Sequence, residues 1–396
     1  MAPSFLSSAQ VVLFWLPGRW EINMRTLFTF FVILAGIVLP ASVLAADLEP
    51  ELGSVETMAP LGDHSFIVTG FMGGGNIFNA DTGEMQGKLL VSDYTTAVSL
   101  DRQRDMIYIP ATYYSRGTYG ERTDLLVIND VENLSPVAEI EVPKKLAVVF
   151  HRAVINPIGD DFVGLYNMTP AMSVSVVDVE NQQFVGEIST AGCGFVYPLE
   201  GRRFMQLCGD GTVQVIDLDS DGEEASRKRS SKFFDIDEDP VFDLALEKPD
   251  GWVLITFGGQ VIEVTVDGDD IDISEPWSLV TEEEAAEGWR VGGNDPFAYN
   301  AETGMLFTLM HQGGPDTHED PGMEVWAYDM NTQRRGYRRQ LEGPSLSIAV
   351  SQDADPLLYV AMLDTPMSVN VRKARTGRLL RVIPEAGSTG GHIQAF

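Results

Sequence analysis

Val174-Ser175-Val176-Val177-Asp178-Val179-Glu180-Asn181-Gln182-Gln183-Phe184-Val185-Gly186-Glu187-Ile188 reads as two β-rich runs joined by a polar turn. Apolar and polar residues alternate on both sides of a break rich in Asp, Asn and Gln, the pattern of an antiparallel hairpin with one face buried. The unit recurs. Aligned on Asp178, it returns as Ile77-Phe78-Asn79-Ala80-Asp81-Thr82-Gly83, Val127-Ile128-Asn129-Asp130, Val215-Ile216-Asp217-Leu218, Glu263-Val264-Thr265-Val266-Asp267-Gly268, Trp326-Ala327-Tyr328-Asp329 and Asn370-Val371-Arg372. The anchors at 79, 129, 178, 217, 265, 329 and 372 are 50, 49, 39, 48, 64 and 43 residues apart. Sheet propellers repeat every 40 to 50 residues or so, with four strands per blade, whereas helical repeats need apolar spacings of three and four that are absent here. The expectation is an all-β chain folded as a seven-bladed β-propeller of four-stranded antiparallel blades. The blades run over about 51–91, 97–142, 151–189, 193–236, 240–279, 289–342 and 345–386.

Composition agrees with one large β domain. Hydrophobic residues make up 44% of 396 positions, and 38 glycines supply tight turns for the roughly 28 strands such a ring requires. Residues 1–45 stand apart. Arg25 precedes an uncharged run from Leu27 to Leu39, followed by Pro40 and the Val43-Leu44-Ala45 pattern that a signal peptidase accepts. The run is short for a membrane span. Residues 1–45 are therefore expected to be a signal peptide and residues 46–396 the exported propeller, free of the membrane after cleavage. Met24 offers a second possible start. Cleavage removes Arg19, Arg25 and Glu21, leaving 25 basic against 57 acidic side chains and a net charge of −32. So acidic a chain repels phosphate backbones, which argues against a nucleic-acid partner.

Departures from the repeat mark the sites. Residues 113–124 insert Tyr113-Tyr114-Ser115-Arg116-Gly117-Thr118-Tyr119-Gly120-Glu121-Arg122-Thr123-Asp124 into blade two, and residues 310–322 insert Met310-His311-Gln312-Gly313-Gly314-Pro315-Asp316-Thr317-His318-Glu319-Asp320-Pro321-Gly322 into blade six. An acidic connector, capped by Thr281 and expected to turn helically, leads to Trp289-Arg290. Binding concentrates in such loops, and Tyr, Trp and Arg are favoured interface anchors. Tyr113, Tyr114, Arg116, Arg122, Trp289, Arg290, His311 and His318 are the expected partner contacts. The spacing of His311 and His318 fits no standard metal site, so no metal is expected. Gly73-Gly74-Gly75 is followed by neither a helical pattern nor a Lys, and reads as a wide turn rather than a phosphate loop. Cys193 and Cys208 flank a turn centred near Glu200 and Gly201, so they face each other across a strand pair and, in an exported chain, are expected to form a disulfide. No GxSxG, HExxH, CxxC or calcium loop occurs. The chemistry is expected to lie on another chain.

Several stretches resemble the heavy subunit of quinoprotein amine dehydrogenases, the methylamine and aromatic amine dehydrogenase family. They are Ser115-Arg116 with Gly120-Glu121-Arg122-Thr123-Asp124; Ala191-Gly192-Cys193 with Phe204-Met205 and Cys208-Gly209-Asp210-Gly211; Pro276-Trp277-Ser278-Leu279; Gly288-Trp289-Arg290 with Gly292-Gly293; and Met310-His311 with Thr317-His318 and Glu324-Val325-Trp326. The resemblance implies a periplasmic complex of two heavy and two light chains. Primary amines are converted to aldehyde and ammonia on a tryptophan tryptophylquinone that the light chain carries, and electrons pass to a small copper protein. This chain would hold no cofactor and would be inactive alone. Counted back from the Arg116 to Asp124 motif, Tyr94 falls where the family places a phenylalanine that gates the substrate channel. Two other classes compete. A non-catalytic exported scaffold would have no small cysteine-rich exported chain encoded beside it, and a hydrolase of lactonase type would bind calcium through carboxylates and His in the central channel.

Overall fold

The computed structural model describes residues 57–70 and 74–396, so the expected signal peptide, residues 1–45, lies outside the described residues. Within them the chain is almost entirely antiparallel β-sheet. Sheet two is typical, with Ser99–Asp101 innermost, then Met106–Tyr114, Arg122–Asp130 and Pro136–Val142 outermost. Sheet three holds the opening hairpin as Ser173–Asp178 and Gln183–Ser189, with Val174 opposite Ile188. All seven sequence anchors lie on strands that hold the third place from the axis. The turn after each explains the motif. Asp178 Oδ1 accepts from the Asn181 N–H at 2.8 Å, Asp130 Oδ1 from the Asn133 N–H at 2.8 Å and Asp329 Oδ1 from the Thr332 N–H at 3.1 Å. Asp and Asn recur there because their side chains close the turn on their own backbone.

Two boundaries differ from the sequence reading. Sheets one to five stand alone, but the sixth is a continuous sheet of eight strands, so seven separate four-stranded blades are corrected to five plus this double sheet. The cause is one 17-residue strand, Arg334–Val350, which is outermost for the first half and runs on without a break as the innermost strand of the second, where the sequence reading broke the chain between 342 and 345. Sheet one is the other case. Among the described residues before residue 91 the strands are Ser65–Gly70, Gly74–Asn79 and Met85–Leu90, and the innermost strand is His392–Ala395 from the C-terminus, paired antiparallel so that Val68 faces Ile393. The tail is thus the closing strand of the ring. His64 fastens the same seam, with Asp81 at 2.9 Å and Asp353 at 3.2 Å.

The core lies between sheets. Tyr108 and Leu126 of sheet two pack with Leu165 and Val174 of sheet three; Tyr197 and Met205 of sheet four pack with Trp252 and Val264 of sheet five; Phe66 of sheet one stacks on Tyr359 of sheet six at 4.6 Å. Alternation along each strand sends one set of side chains to each neighbouring sheet, and each fully buried large apolar side chain contributes about 1.5–3 kcal/mol. Antiparallel pairing then fixes two kinds of chain end. Second-to-third turns and the crossings to the next sheet emerge at one end of the ring, and first-to-second and third-to-fourth turns at the other.

Candidate functional site

The crossing end carries the irregular chemistry. Of the exposed large apolar side chains, Tyr113, Tyr119, Val148, Phe150, Met168, Ile236 and Met323 lie at this end, and the others, Met85, Leu90, Val137, Leu380 and Val382, are on outermost strands. Among the described residues none lies in a turn at the opposite end. At the centre of the crossing end is a cavity of about 730 Å³, within the range of ligand pockets. Phe150, Phe195, Phe242 and Phe257 wall it, together with His151, His318 and His392.

Local structure aims these rings. Phe195 has a φ of 67° at a register shift between Gly194 and Tyr197, a bulge that turns its side chain toward the axis. Buried Gln206 holds the bulge by donating to the Phe195 carbonyl at 2.7 Å. The ring then stacks on His151 at 3.8 Å. Across the mouth His318 stacks on Phe257 at 3.9 Å, while Phe242 meets Phe297 edge-on at 4.9 Å. Asp124, fully buried, organises the neighbouring crossing. It accepts from Thr112 at 3.0 Å, from Arg122 Nε at 2.7 Å and Nη2 at 2.8 Å, and from the Leu146 N–H at 2.9 Å. With every acceptor direction used, this carboxylate ties sheet two to the segment that presents Val148 and Phe150.

The floor of the mouth is polar. His151 Nδ1 accepts from the Ala153 N–H at 3.0 Å, capping the short 3-10 turn Arg152–Val154, so the proton of the neutral ring is on Nε2, which donates to the Asp243 carbonyl at 3.0 Å. Burial lowers the His151 pKa, with the Asp243 charge opposing, and the ring is neutral near pH 7. His392 differs. Burial alone would lower it, but Asp295, whose Oδ2 is 2.6 Å from Nδ1, raises it above the ordinary value. Asp295 is buried too, which by itself would raise its carboxyl, yet the charges of His392 and then Arg152 hold it below the usual range. Tyr197 is driven well above its ordinary pKa by burial and donates to the Asp243 carbonyl, so it remains a phenol. Aromatic walls over a neutral imidazole and an imidazolium–carboxylate pair can hold a flat ring or a cation, but they provide no nucleophile with an adjacent base.

The residues singled out in the sequence divide into exposed and engaged. Tyr113 and Tyr114 end the strand Met106–Tyr114 and Arg122 begins Arg122–Asp130, so only residues 115–121 of that insertion form a loop. Arg116 lies in its exposed tip, 4.6 Å over the Tyr119 ring. Arg122 is engaged by Asp124, and His311 is buried with Nε2 2.9 Å from Thr317 Oγ1, so neither presents a free surface. Trp289 is half-buried against Arg338, which lies 4.5 Å over its ring and 4.3 Å over that of Trp326. The same arginine pairs with Glu284 of the helix Glu282–Ala286, whose capping box on Thr281 matches the sequence reading. Arg290 faces inward, its Nε buried without a partner. Tyr94 stands at the crossing end but does not line the mouth; its hydroxyl donates to the Gly117 carbonyl at 3.2 Å and its ring meets Tyr114 edge-on at 5.4 Å. Cys193 and Cys208 are opposite in register and joined by a disulfide at the same end.

The sequence reading missed His151, Asp243, Asp295 and His392. Each lies within four residues of an innermost strand, and aligning the repeat on strand starts rather than on the third strands would have gathered them. Among the described residues no group of three or more His, Cys, Asp or Glu is placed to hold a metal ion.

Comparison with known proteins gives one family. The model for the methylamine dehydrogenase heavy chain matches residues 74–394. The methylamine dehydrogenase heavy chain of Methylophilus methylotrophus is 26% identical over 377 residues, covering 90% of this chain and 92% of its own. That of Methylobacillus flagellatus is 26% identical over 311 residues, covering 78% and 75%. Among solved structures, the periplasmic gluconolactonase of Pseudomonas aeruginosa superposes with a TM-score of 0.55 at 14% identity, over 83% of this chain and 98% of its own, a likeness of fold alone.

Proposed function

This chain belongs to the methylamine dehydrogenase heavy chain family, and on that premise we propose that it is the heavy subunit of an exported amine dehydrogenase that converts primary amines to aldehyde and ammonia. The observation that carries the reading is the family match across residues 74–394, nearly the whole propeller. In this reading a light chain docks on the crossing end, in an assembly of two heavy and two light chains. The oxidation chemistry is supplied by the tryptophan tryptophylquinone of that light chain, and a small copper protein takes the electrons. The exposed apolar residues of the crossing end support the docking assignment, since a face that only met water would not concentrate them. Tyr113, Tyr114, Arg116 and the loop bearing His318 are the contacts we assign to it, with Trp289 and Arg290 supporting the loop from behind. Tyr94, fixed to the hairpin tip through Gly117, is assigned to the wall of the substrate path.

We count seven blades, dividing the eight-stranded sheet within Arg334–Val350 into two units, the first with its innermost place shared by Trp289–Val291 and Phe297–Asn300. Residues 1–45 are assigned as a signal peptide cleaved after Ala45 and the mature chain to the periplasm; the sequence pattern supports this. The test is to express the mature chain alone and together with an amine dehydrogenase light chain. The lone chain is expected to be colourless and inactive, and the pair to show quinone absorbance and amine-dependent dye reduction. Quinone absorbance from the lone chain, or failure of the two chains to associate, contradicts the reading.

A further inference from the structure

Deeper on the axis lies a second cavity, of about 460 Å³, walled by inner strands from around the ring. Most of its polar groups are satisfied by the fold. Asn156 donates to the Val196 carbonyl at 2.8 Å, Trp252 Nε1 to the Pro198 carbonyl at 2.9 Å, and Gln352 to the Tyr299 carbonyl at 2.9 Å. Two charged groups are not.

Glu247, on the inner strand Leu246–Lys248, makes no side-chain hydrogen bond or ion pair among the described residues. Its side chain is exposed to water, and the protein around it still raises the carboxyl above the usual range by partial desolvation. The adjacent Lys248 does not answer it, being engaged by Asp250 at 3.0 Å and Glu263 at 3.0 Å. Among the described residues Arg152 has a single hydrogen bond, a long one of 3.4 Å from Nη2 to the Ala245 carbonyl, and no ion pair, although Asp295 feels its charge. The nearest acids are taken up elsewhere, Asp295 by His392 at 2.6 Å and Asp243 beside His151 at 3.7 Å. Arg152 and Glu247 do not pair with each other. The carbonyl that Arg152 touches belongs to Ala245, two residues before Glu247, so both groups border the same stretch of the cavity.

The half-buried guanidinium of Arg152 and the exposed carboxyl of Glu247 thus border one cavity, each still hydrated and each without a protein counter-charge, so both are open to a ligand of opposite charge. In a chain with 58 acidic residues, an arginine left without a carboxylate is the more telling of the two. A guanidinium offers a planar fork that fits a carboxylate, and a carboxylate accepts from an ammonium. Tyr197, Trp252 and Phe297 wall the space around them. We propose that the axial cavity is a binding site for a small zwitterion, an amino acid whose carboxylate is held by Arg152 and whose ammonium, at the far end of a short methylene spacer, is held by Glu247.

The test is isothermal titration of the mature full-length chain with glycine, 4-aminobutanoate and 6-aminohexanoate, with butanoate and butylamine as one-charge controls. One charge-assisted hydrogen bond amounts to about tenfold in affinity or more. At least one of the longer amino acids is therefore expected to bind saturably and about tenfold more tightly than either control. Arg152→Met and Glu247→Gln are each expected to weaken that binding by about tenfold, with circular dichroism and melting temperature retained. Glu247→Gln preserves shape and decides the matter if Arg152→Met fails to fold. Absence of saturable binding by all three amino acids, equal binding of a one-charge control, or unchanged affinity in Glu247→Gln overturns the proposal.

Discussion

The two ends of the ring are made by the same strands and differ in almost everything else. At the repeat end, three of the third-to-fourth turns share one design: an Asp closes the turn on its own backbone, and a residue in the left-handed region follows, as at Leu134, Gln182 and Gln333. At the crossing end the connections vary from none, where Arg334–Val350 runs on into the next blade, to the sixteen residues 230–245. That end holds the exposed apolar side chains, the aromatic mouth, the disulfide and the bulge at Phe195. Regularity marks the surface whose duty is to close hairpins. Irregularity marks the surface shaped by something other than the fold.

Substitutions at the two ends sharpen this contrast. The largest effect is expected at Asp124, where Asp124→Ala leaves the half-buried Arg122 beside no carboxylate and frees the Leu146 N–H. Breaking such a pair costs about 3–5 kcal/mol, read as a lower urea midpoint, and loosening of residues 145–150 should also weaken light-chain binding. If stability falls while binding is untouched, the crossing end is scaffold like the other. A smaller effect is expected from Asp295→Asn, because the pair it disrupts is pH-dependent. His392 is raised from 6.5, so its contribution is full below that value and lost as pH rises through the folded value; Asp295 is lowered from 3.8, so its contribution is full above that value and lost only in stronger acid. The stability gap between the parent and Asp295→Asn should therefore be wide at about pH 5 and narrow at about pH 9. His151 and Arg152 also feel the Asp295 charge and lose it in the variant, so the gap includes their share, while Asp243 faces His151 in both proteins; the part of the gap that fades toward high pH belongs to the histidines, and a constant gap would mean that His392 is not charged. The smallest effect is expected at the repeat end. Asp178→Ala removes the two exposed hydrogen bonds that Asp178 accepts from Asn181 and should cost about 1 kcal/mol, with light-chain affinity unchanged.

Much of the repeat end was legible in the sequence, because the Asp and Asn that close its turns are chemically required at fixed places along the chain. The hairpin at Asp178 and the pairing of Cys193 with Cys208 followed from alternation and turn residues alone. The ring closure was not legible. His392–Ala395 carries too short a pattern to declare a strand, and its partner Ser65–Gly70 is more than 300 residues away. The division at residues 342–345 failed for the opposite reason, since Glu342-Gly343-Pro344 looks like a turn while sheet pairing on both sides keeps the strand extended. The insertions were found, but which of their side chains are exposed was not. Arg122 and His311 have the composition of contact residues and are held by Asp124 and Thr317, partners that only the folded chain brings to them. The mouth was missed because its residues come singly from separate crossings and share no local motif.

The central claim is that the crossing end, and not the repeat end, receives the light chain. Hydrogen–deuterium exchange of the mature chain, alone and in the reconstituted complex, tests it directly. The account predicts slowed exchange on assembly in residues 112–122, 145–151, 236–244 and 313–323, with the turns at 80–84, 131–135, 179–182 and 330–333 unchanged. Protection confined to those turns or to the outermost strands, with the four crossing-end segments exchanging as in the free chain, would contradict it.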